Sequence, residues 1–197
     1  MSPRTKIIAL FSAFAAGALI LVTAVTLFLP EPPPKVTGQA AVGGPFSLTD
    51  QNGQPITEAA LKGKPTLIFF GFTHCPDVCP TALFEMSEIF NALGPDASKA
   101  QAFFVSVDPE RDTPDVLKSY VSSFSPQIVG LSGTPEATEQ IKREFRVYSR
   151  KVPLKDGDYT MDHTAVVYLM DKEGNFVAPF NSKRPPAEAA AELKRYF

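Results

Sequence analysis

The sequence predicts an α/β fold, a mixed β-sheet flanked by helices, preceded by one N-terminal transmembrane helix. Residues 7–29 form an unbroken run without charge, and beyond them strand-like and helix-like segments alternate between Pro and Gly punctuation. These observations divide the chain into a membrane anchor (1–29), a Pro/Gly linker (30–45) and one globular domain (46–197), which is an ordinary size for a single core.

The anchor comes first. From Ile7 to Leu29 the run would span about 35 Å as a helix at about 1.5 Å per residue, enough to cross a bilayer core of about 30 Å. Arg4 and Lys6 precede it, whereas Glu31 and three prolines follow. That bias places the N-terminus in the cytoplasm and the domain on the far side, the periplasm in a bacterium. A cleaved signal peptide is the alternative. Its apolar stretch usually covers only about 7–15 residues, and no small-x-small cleavage site lies between Leu27 and Lys35. The linker, rich in Pro30, Pro32, Pro33, Pro34, Gly38, Gly43 and Gly44, reads as a spacer that holds the domain off the membrane.

The domain opens with Phe46 to Ile56, two extended pieces around a turn at Asn52-Gly53. Thr66 to Phe72 is a continuous apolar, β-rich run of the kind that fills a central strand covered on both faces. Residues 79–93 place Leu83, Met86, Phe90 and Leu93 at helical spacing, with Pro80 in the first turn and Gly94-Pro95 closing the pattern. Then follow a strand at 102–107, a helix at 114–124, a short strand at 128–131 and a helix at 135–145. Strands at 165–170 and 176–180, joined by a turn at 171–175, precede a last helix at 186–196. Phe69, Phe70, Phe103 and Phe104 read as strand interior.

Nineteen Lys and Arg against twenty-one Asp and Glu give a formal charge of −2, with no basic block, so nucleic acid is excluded as a partner. The chemistry concentrates in Gly71-Phe-Thr-His-Cys75-Pro-Asp-Val-Cys79-Pro80, which holds both cysteines between a buried strand and the helix it feeds. A four-residue separation on a first helical turn puts both sulfurs on one face, with Cα atoms about 6 Å apart. That suits a shared metal ion and also lies within disulfide range. The positive end of the helix is expected to lower the Cys79 thiol pKa. A purely stabilising disulfide is the plainer reading, although so small a loop constrains the unfolded chain little. A Cys-x-x-Cys pair would point to thiol exchange, but the spacing here is one residue longer. Two cysteines also fall short of the four ligands of a structural zinc site.

His74 and His163 are the two histidines. His74 adjoins Cys75 and is expected to point away from Cys75's metal. His163 precedes a strand whose start should lie beside the cysteine loop, and it is the better candidate ligand. Two thiolates and one imidazole suit Cu(I), and an added oxygen ligand would suit Cu(II). Asp77, between the cysteines, reads equally as a turn-former after Pro76 and as a group that orients the ligands or completes the site. Asp108, Arg111 and Asp112 read as a turn and cap before the helix at Pro114, with a partner-docking edge as the alternative.

Three separated segments, the cysteine loop, Val107-Asp-Pro-Glu-Arg-Asp-Thr-Pro114, and Asp162-His-Thr-Ala165 with Tyr168-Leu-Met-Asp171, together resemble the Sco/SenC family of copper metallochaperones. The resemblance runs from about Phe46 to the C-terminus. It implies a thioredoxin-like fold, one copper ion held by Cys75, Cys79 and His163, and a Cys75/Cys79 pair that also forms a redox disulfide. It further implies a role in assembling the binuclear copper centre of cytochrome c oxidase, as copper donor or as reductant of the receiving cysteines. Expected partners are the oxidase's copper-bearing subunit, a periplasmic copper donor, a thiol reductant and, through the N-terminal helix, the cytoplasmic membrane.

Two other readings stay open at this level. Val78-Cys79-Pro80-Thr81 echoes the peroxidatic segment of peroxiredoxins, but the nearby first cysteine and the Asp-His-Thr motif have no part in peroxide reduction. A thiol–disulfide oxidoreductase should carry an active-site proline near the strand at Ala165, and no proline lies between Pro153 and Pro179.

Overall fold

The computed structural model describes residues 42–155 and 157–197. The anchor of residues 7–29, and the linker up to residue 41, lie outside the described residues. Among those described, no helix is long and apolar enough to cross a membrane.

The first hairpin forms where expected. Strands β1 (Ser47–Asp50) and β2 (Pro55–Thr57) pair antiparallel, and the Asp50 carboxylate accepts the backbone N–H groups of Asn52 and Gln54 at 2.8 Å each. Gly53 closes the turn at φ +79, a left-handed value that costs glycine nothing. Strand β3 (Thr66–Gly71) then runs into helix α1 (Val78–Leu93), which leads back to strand β4 (Gln101–Ser106), parallel to β3. Helix α2 (Pro114–Val121) crosses to β5 (Ile128–Ser132), parallel to β4, and helix α3 (Pro135–Glu144) follows. Thr113 and Thr134 cap these two helices, accepting from Val116 N–H and Ala137 N–H, and each is followed by Pro at the first helical position.

All six residues of β3 are buried, as its apolar run requires, because helices cover both faces of the sheet. Alternation sends Leu67, Phe69 and Gly71 to the face under α1, where Phe69 stacks on Phe104. Ile68 and Phe70 point to the other face, where Phe70 meets Phe145 and Tyr168. Helix α1 buries Cys79, Leu83, Met86, Ile89, Phe90 and Leu93 along one stripe.

Strand β8 (Val167–Met170) adds antiparallel to β3 and β9 (Phe176–Phe180) adds antiparallel to β8, giving a seven-stranded mixed sheet in the order β2-β1-β5-β4-β3-β8-β9. Helix α4 (Pro186–Leu193) packs against α1. This is the mixed α/β layer that the alternation of elements implied, in the thioredoxin-like arrangement that the resemblance implied. The chain direction reverses beside β3, so its carboxyl end is the place where such sheets present a site.

One element departs from expectation. A separate two-stranded ribbon pairs β6 (Ser149–Pro153) with β7 (Tyr159–His163). His163 therefore ends a strand of its own and does not open the next one, which begins at Val167 instead of Ala165. The ribbon lacks a run of alternating apolar residues because none of the residues of its two strands is fully buried, so neither face has to be apolar. Its sequence signals were the turn pair Asp156-Gly157 and the polar strand halves on either side.

Candidate metal centre

The cysteine loop leaves the carboxyl end of β3 and bends at once, with Cys75 N–H donating to the Phe72 carbonyl at 3.2 Å. Asp77 stands at the N-cap of α1, yet its side chain caps no backbone N–H; its carboxylate accepts from the Thr81 hydroxyl at 3.4 Å. A sulfur takes over the capping role. The Cys79 N–H, one of the unpaired donors of the first turn, points at Cys75 Sγ at 3.4 Å. Both cysteines are free thiols; Cys79 is fully buried and Cys75 partly exposed.

Burial of the Cys79 sulfur depends on a missing side chain. A Cβ on Gly71 would lie 2.7 Å from Cys79 Sγ and 2.7 Å from Phe104 Cε2, closer than such atoms approach. The glycine in an otherwise bulky strand is thus the seat of the second thiol.

The third group arrives from β7. His163 Nε2 lies 3.7 Å from Cys79 Sγ, and its ring stands edge-on between Phe69 and Phe72, with centroids 6.2 and 5.8 Å away. Nδ1 lies 3.1 Å from the Thr164 carbonyl, which can only accept, so Nδ1 carries the proton and Nε2 offers its lone pair to the sulfurs. Cys75 Sγ, Cys79 Sγ and a His163 ring nitrogen all lie within 4.8 Å of one another. Such a trio can hold one metal ion, and two sulfurs with one imidazole favour a soft ion such as Cu(I).

The expected lowering of the Cys79 thiol pKa is not what the structure gives. Burial pushes this thiol far above its ordinary range, and the Cys75 sulfur beside it adds to the rise, although a backbone hydrogen bond at Phe72 pulls the other way. Desolvation outweighs the helix terminus here because the sulfur sits inside the core. The thiol S–H has Nε2 of His163 as its acceptor, and a bound cation would replace that proton.

Two further residues of the cysteine loop stand apart from the trio, His74 as the sequence suggested. His74 is exposed, with Nδ1 3.1 Å from the Thr73 hydroxyl. Asp77 is exposed on the rim of an open groove of about 590 Å³ beside the site, lined also by Val78, Thr81, Ala165 and Phe180.

The loop between β4 and α2 does more than begin a helix, since Thr113 provides the cap. The Asp112 carboxylate is buried, accepting from Thr73 N–H at 3.1 Å, from the Thr73 hydroxyl at 2.6 Å and from the Ser106 hydroxyl at 2.6 Å. Burial raises its pKa, against the pull of these three donors. Asp108 accepts from Arg111 Nε at 2.6 Å and from the Tyr159 hydroxyl at 2.9 Å. The loop therefore touches both the cysteine segment and the ribbon. Sequence reading missed Tyr159, Thr73 and Gly71. The hint was a density of charge directly after a buried strand, where a simple turn has no use for it.

A profile of the SCO1/SenC family matches residues 34–197. The chain is 45% identical over 141 residues to Protein SCO1 homolog 1, mitochondrial, of Arabidopsis thaliana, a match covering 71% of this chain but only 42% of that relative. It is 38% identical over 187 residues to the SCO2-like protein of Rickettsia felis, covering 90% of this chain and 89% of the relative. Among solved structures, Bradyrhizobium japonicum ScoI with copper bound superposes with a TM-score of 0.78 at 65% identity, covering 80% of this chain and 100% of that one. With the fold, the trio and these matches together, the chain belongs to the SCO1/SenC family.

Proposed function

We propose that this chain carries one copper ion on Cys75, Cys79 and His163 and serves the assembly of the binuclear copper centre of cytochrome c oxidase. The observation that carries the reading is the convergence, within 4.8 Å, of two sulfurs and an imidazole from a loop, a helix and a separate ribbon. The tautomer held by Thr164 presents the correct nitrogen. Support comes from a copper-bound structure of a protein 65% identical to this one. Residues 7–29 would hold the domain at the periplasmic face of the cytoplasmic membrane, where it could meet the oxidase's copper-bearing subunit, a copper donor and a thiol reductant.

The same pair of thiols supports a second role. As a dithiol it could reduce a disulfide in the receiving subunit, giving up two electrons and two protons and closing a Cys75–Cys79 bond. Two free sulfurs within 4.8 Å favour this reading. Copper carriage and the disulfide exclude one another, because the bond uses the sulfurs that the metal needs. A peroxidase role is disfavoured, since full burial of Cys79 keeps peroxide from it and raises its pKa.

The test is a titration of the domain with Cu(I) and Cu(II), read by absorption and electron spin resonance. Cys75→Ser or Cys79→Ser should sharply weaken both. His163→Ala should keep Cu(I) and lose most Cu(II), because Cu(II) prefers nitrogen and oxygen ligands. The oxidised domain should bind neither tightly. Equal Cu(II) binding by wild type and His163→Ala would remove the histidine from the site.

A further inference from the structure

The ribbon that delivers His163 has no hydrogen-bonded register with the seven-stranded sheet. The ring itself rests on Phe69 and Phe72, but the strand that carries it needs an anchor other than the sheet. Along β7, Tyr159, Met161 and His163 fall on one side by the two-residue alternation of a strand, while Asp162 is exposed. Tyr159 is the opposite end of that side from His163, about 13 Å away at about 3.3 Å per residue.

Tyr159 is held from three directions. Its hydroxyl donates to Asp108 Oδ1 at 2.9 Å, its ring lies under the Arg111 guanidinium at 3.7 Å, and its carbonyl accepts from Arg111 Nη1 at 2.9 Å. Arg111 is locked in turn by Asp108 at 2.6 Å, and the Asp108 carboxylate is buried. On the other side of the same loop, Asp112 grips Thr73, two residues before Cys75. The two grips are joined through Ser106, whose hydroxyl donates to Asp112 and accepts from Asp108 N–H, and through Asp112 N–H, which donates to the Asp108 carbonyl at 3.0 Å. One short loop therefore spans the two arms that bring sulfur and nitrogen together.

We propose that Tyr159, clamped by Asp108 and Arg111, is a positioning residue that sets the place of the His163 ring relative to Cys79. This deepens the copper reading and rests on it for its metal-binding consequence, whereas its geometric consequence concerns the metal-free protein alone. None of the three touches the sulfurs or the imidazole. Their action passes along β7, which holds its shape through five pairs with β6 from Ser149↔His163 to Pro153↔Tyr159. The clamp anchors a strand none of whose residues is fully buried, so loss of one hydroxyl bond should be felt at the far end.

The experiment uses Tyr159→Phe, which keeps the ring and its stacking on Arg111 but loses the bond to Asp108, and Arg111→Lys, which keeps charge but loses the fork and the stack. In the metal-free domain, the ring resonances of His163 and their cross-peaks to Phe69 and Phe72 should shift or weaken in both variants. With copper added, Cu(II) affinity should fall about 10–100-fold, the range seen when a partner of a ligand is removed, and the nitrogen hyperfine pattern should broaden. Cu(I) affinity should stay within about threefold, because the thiolates hold that ion. Val121→Ala, in α2 and remote from the clamp, controls for stability: it should lower the melting temperature and leave the His163 resonances, the hyperfine pattern and both copper affinities unchanged.

Wild-type His163 resonances and cross-peaks in both variants would overturn the proposal. So would equal losses in Val121→Ala, which would mean a general effect of stability. If wild type bound no copper while the His163 resonances still moved in the variants, the copper reading would fail and the clamp would stand.

Discussion

The arm that carries the cysteines and the arm that carries the histidine are held by different forces. The cysteine loop continues from β3, whose six residues are all buried and pair with β4, those from Thr66 to Phe69 pairing with β8 as well. The histidine stands on β7, every residue of which keeps some exposure and whose one strand partner is β6. Burial of a whole strand, with the Asp112 grip on Thr73, fixes the first arm, whereas the second is held at its His163 end by Phe69 and Phe72 and at its far end by polar side-chain bonds. A two-stranded sheet by itself is marginal in water, so the ribbon depends on its attachments in a way that β3 does not. The two thiols are thus a rigid half of the site, and the imidazole is an adjustable half.

Amide exchange would show the difference most widely. The central amides of β3 and β4 should exchange only through global opening, at a cost of about 5–15 kcal/mol, while those of Arg150 to Val152 should exchange through local opening far below it. Equal protection in the two regions would end the distinction. Next in size is Phe69→Ala, which removes a ring packed on Phe104 and on His163; a cavity of that kind costs about 3–5 kcal/mol, read as a lower denaturant midpoint. It should disturb both arms, because this ring is where they meet.

Gly71→Ala sharpens the comparison on the cysteine side alone. The new methyl group collides with the Cys79 sulfur and the Phe104 ring, so stability should fall by about 1–3 kcal/mol and copper uptake with it. Unchanged copper stoichiometry would show that the sulfur has room to move. The smallest effect belongs to the outer face of the ribbon. Arg150 and Asp162 pair at 3.8 Å with both side chains mostly exposed, and Arg150→Ala should cost less than about 1 kcal/mol by thermal melting. A larger loss would mean that surface pairing, and not the Tyr159 clamp, secures the ribbon.

The two regions also differed in how far their sequences announced them. The strand from Thr66, the helix through Phe90 and the Thr-Pro helix starts were readable because burial on a face leaves a periodic apolar trace. Cys75, Cys79 and His163 were legible through residue type and through the resemblance. The ribbon was not, since half-exposed strands such as Arg150-Lys-Val152 and Thr160-Met-Asp162 carry polar residues on the solvent side and few apolar ones beneath. The turn at Asp108 to Asp112 was readable, but the cap belongs to Thr113 and the long-range bonds of the two carboxylates went unread for a related reason. Their partners Tyr159 and Thr73 are 51 and 39 residues distant, and no local pattern encodes such a bond. The thiol pKa of Cys79 erred because a helix terminus is visible in sequence, whereas the depth at which a sulfur lies is not.

The seat that Gly71 provides has a consequence for order in time. With one sulfur sealed against the sheet and the other at the surface, the pair has a leading and a trailing member. A reagent arriving from solvent meets Cys75 first, so limiting iodoacetamide should label Cys75 and spare Cys79. Any stepwise transfer, of an ion or of a disulfide bond, then begins at Cys75 and is completed by Cys79 from behind. On the proposed copper reading the same asymmetry would run backwards on departure, the ion leaving its inner sulfur before its outer one. A site with two equally open thiols would have no such sequence of events, and a single hydrogen atom in place of a methyl group at residue 71 is what creates it.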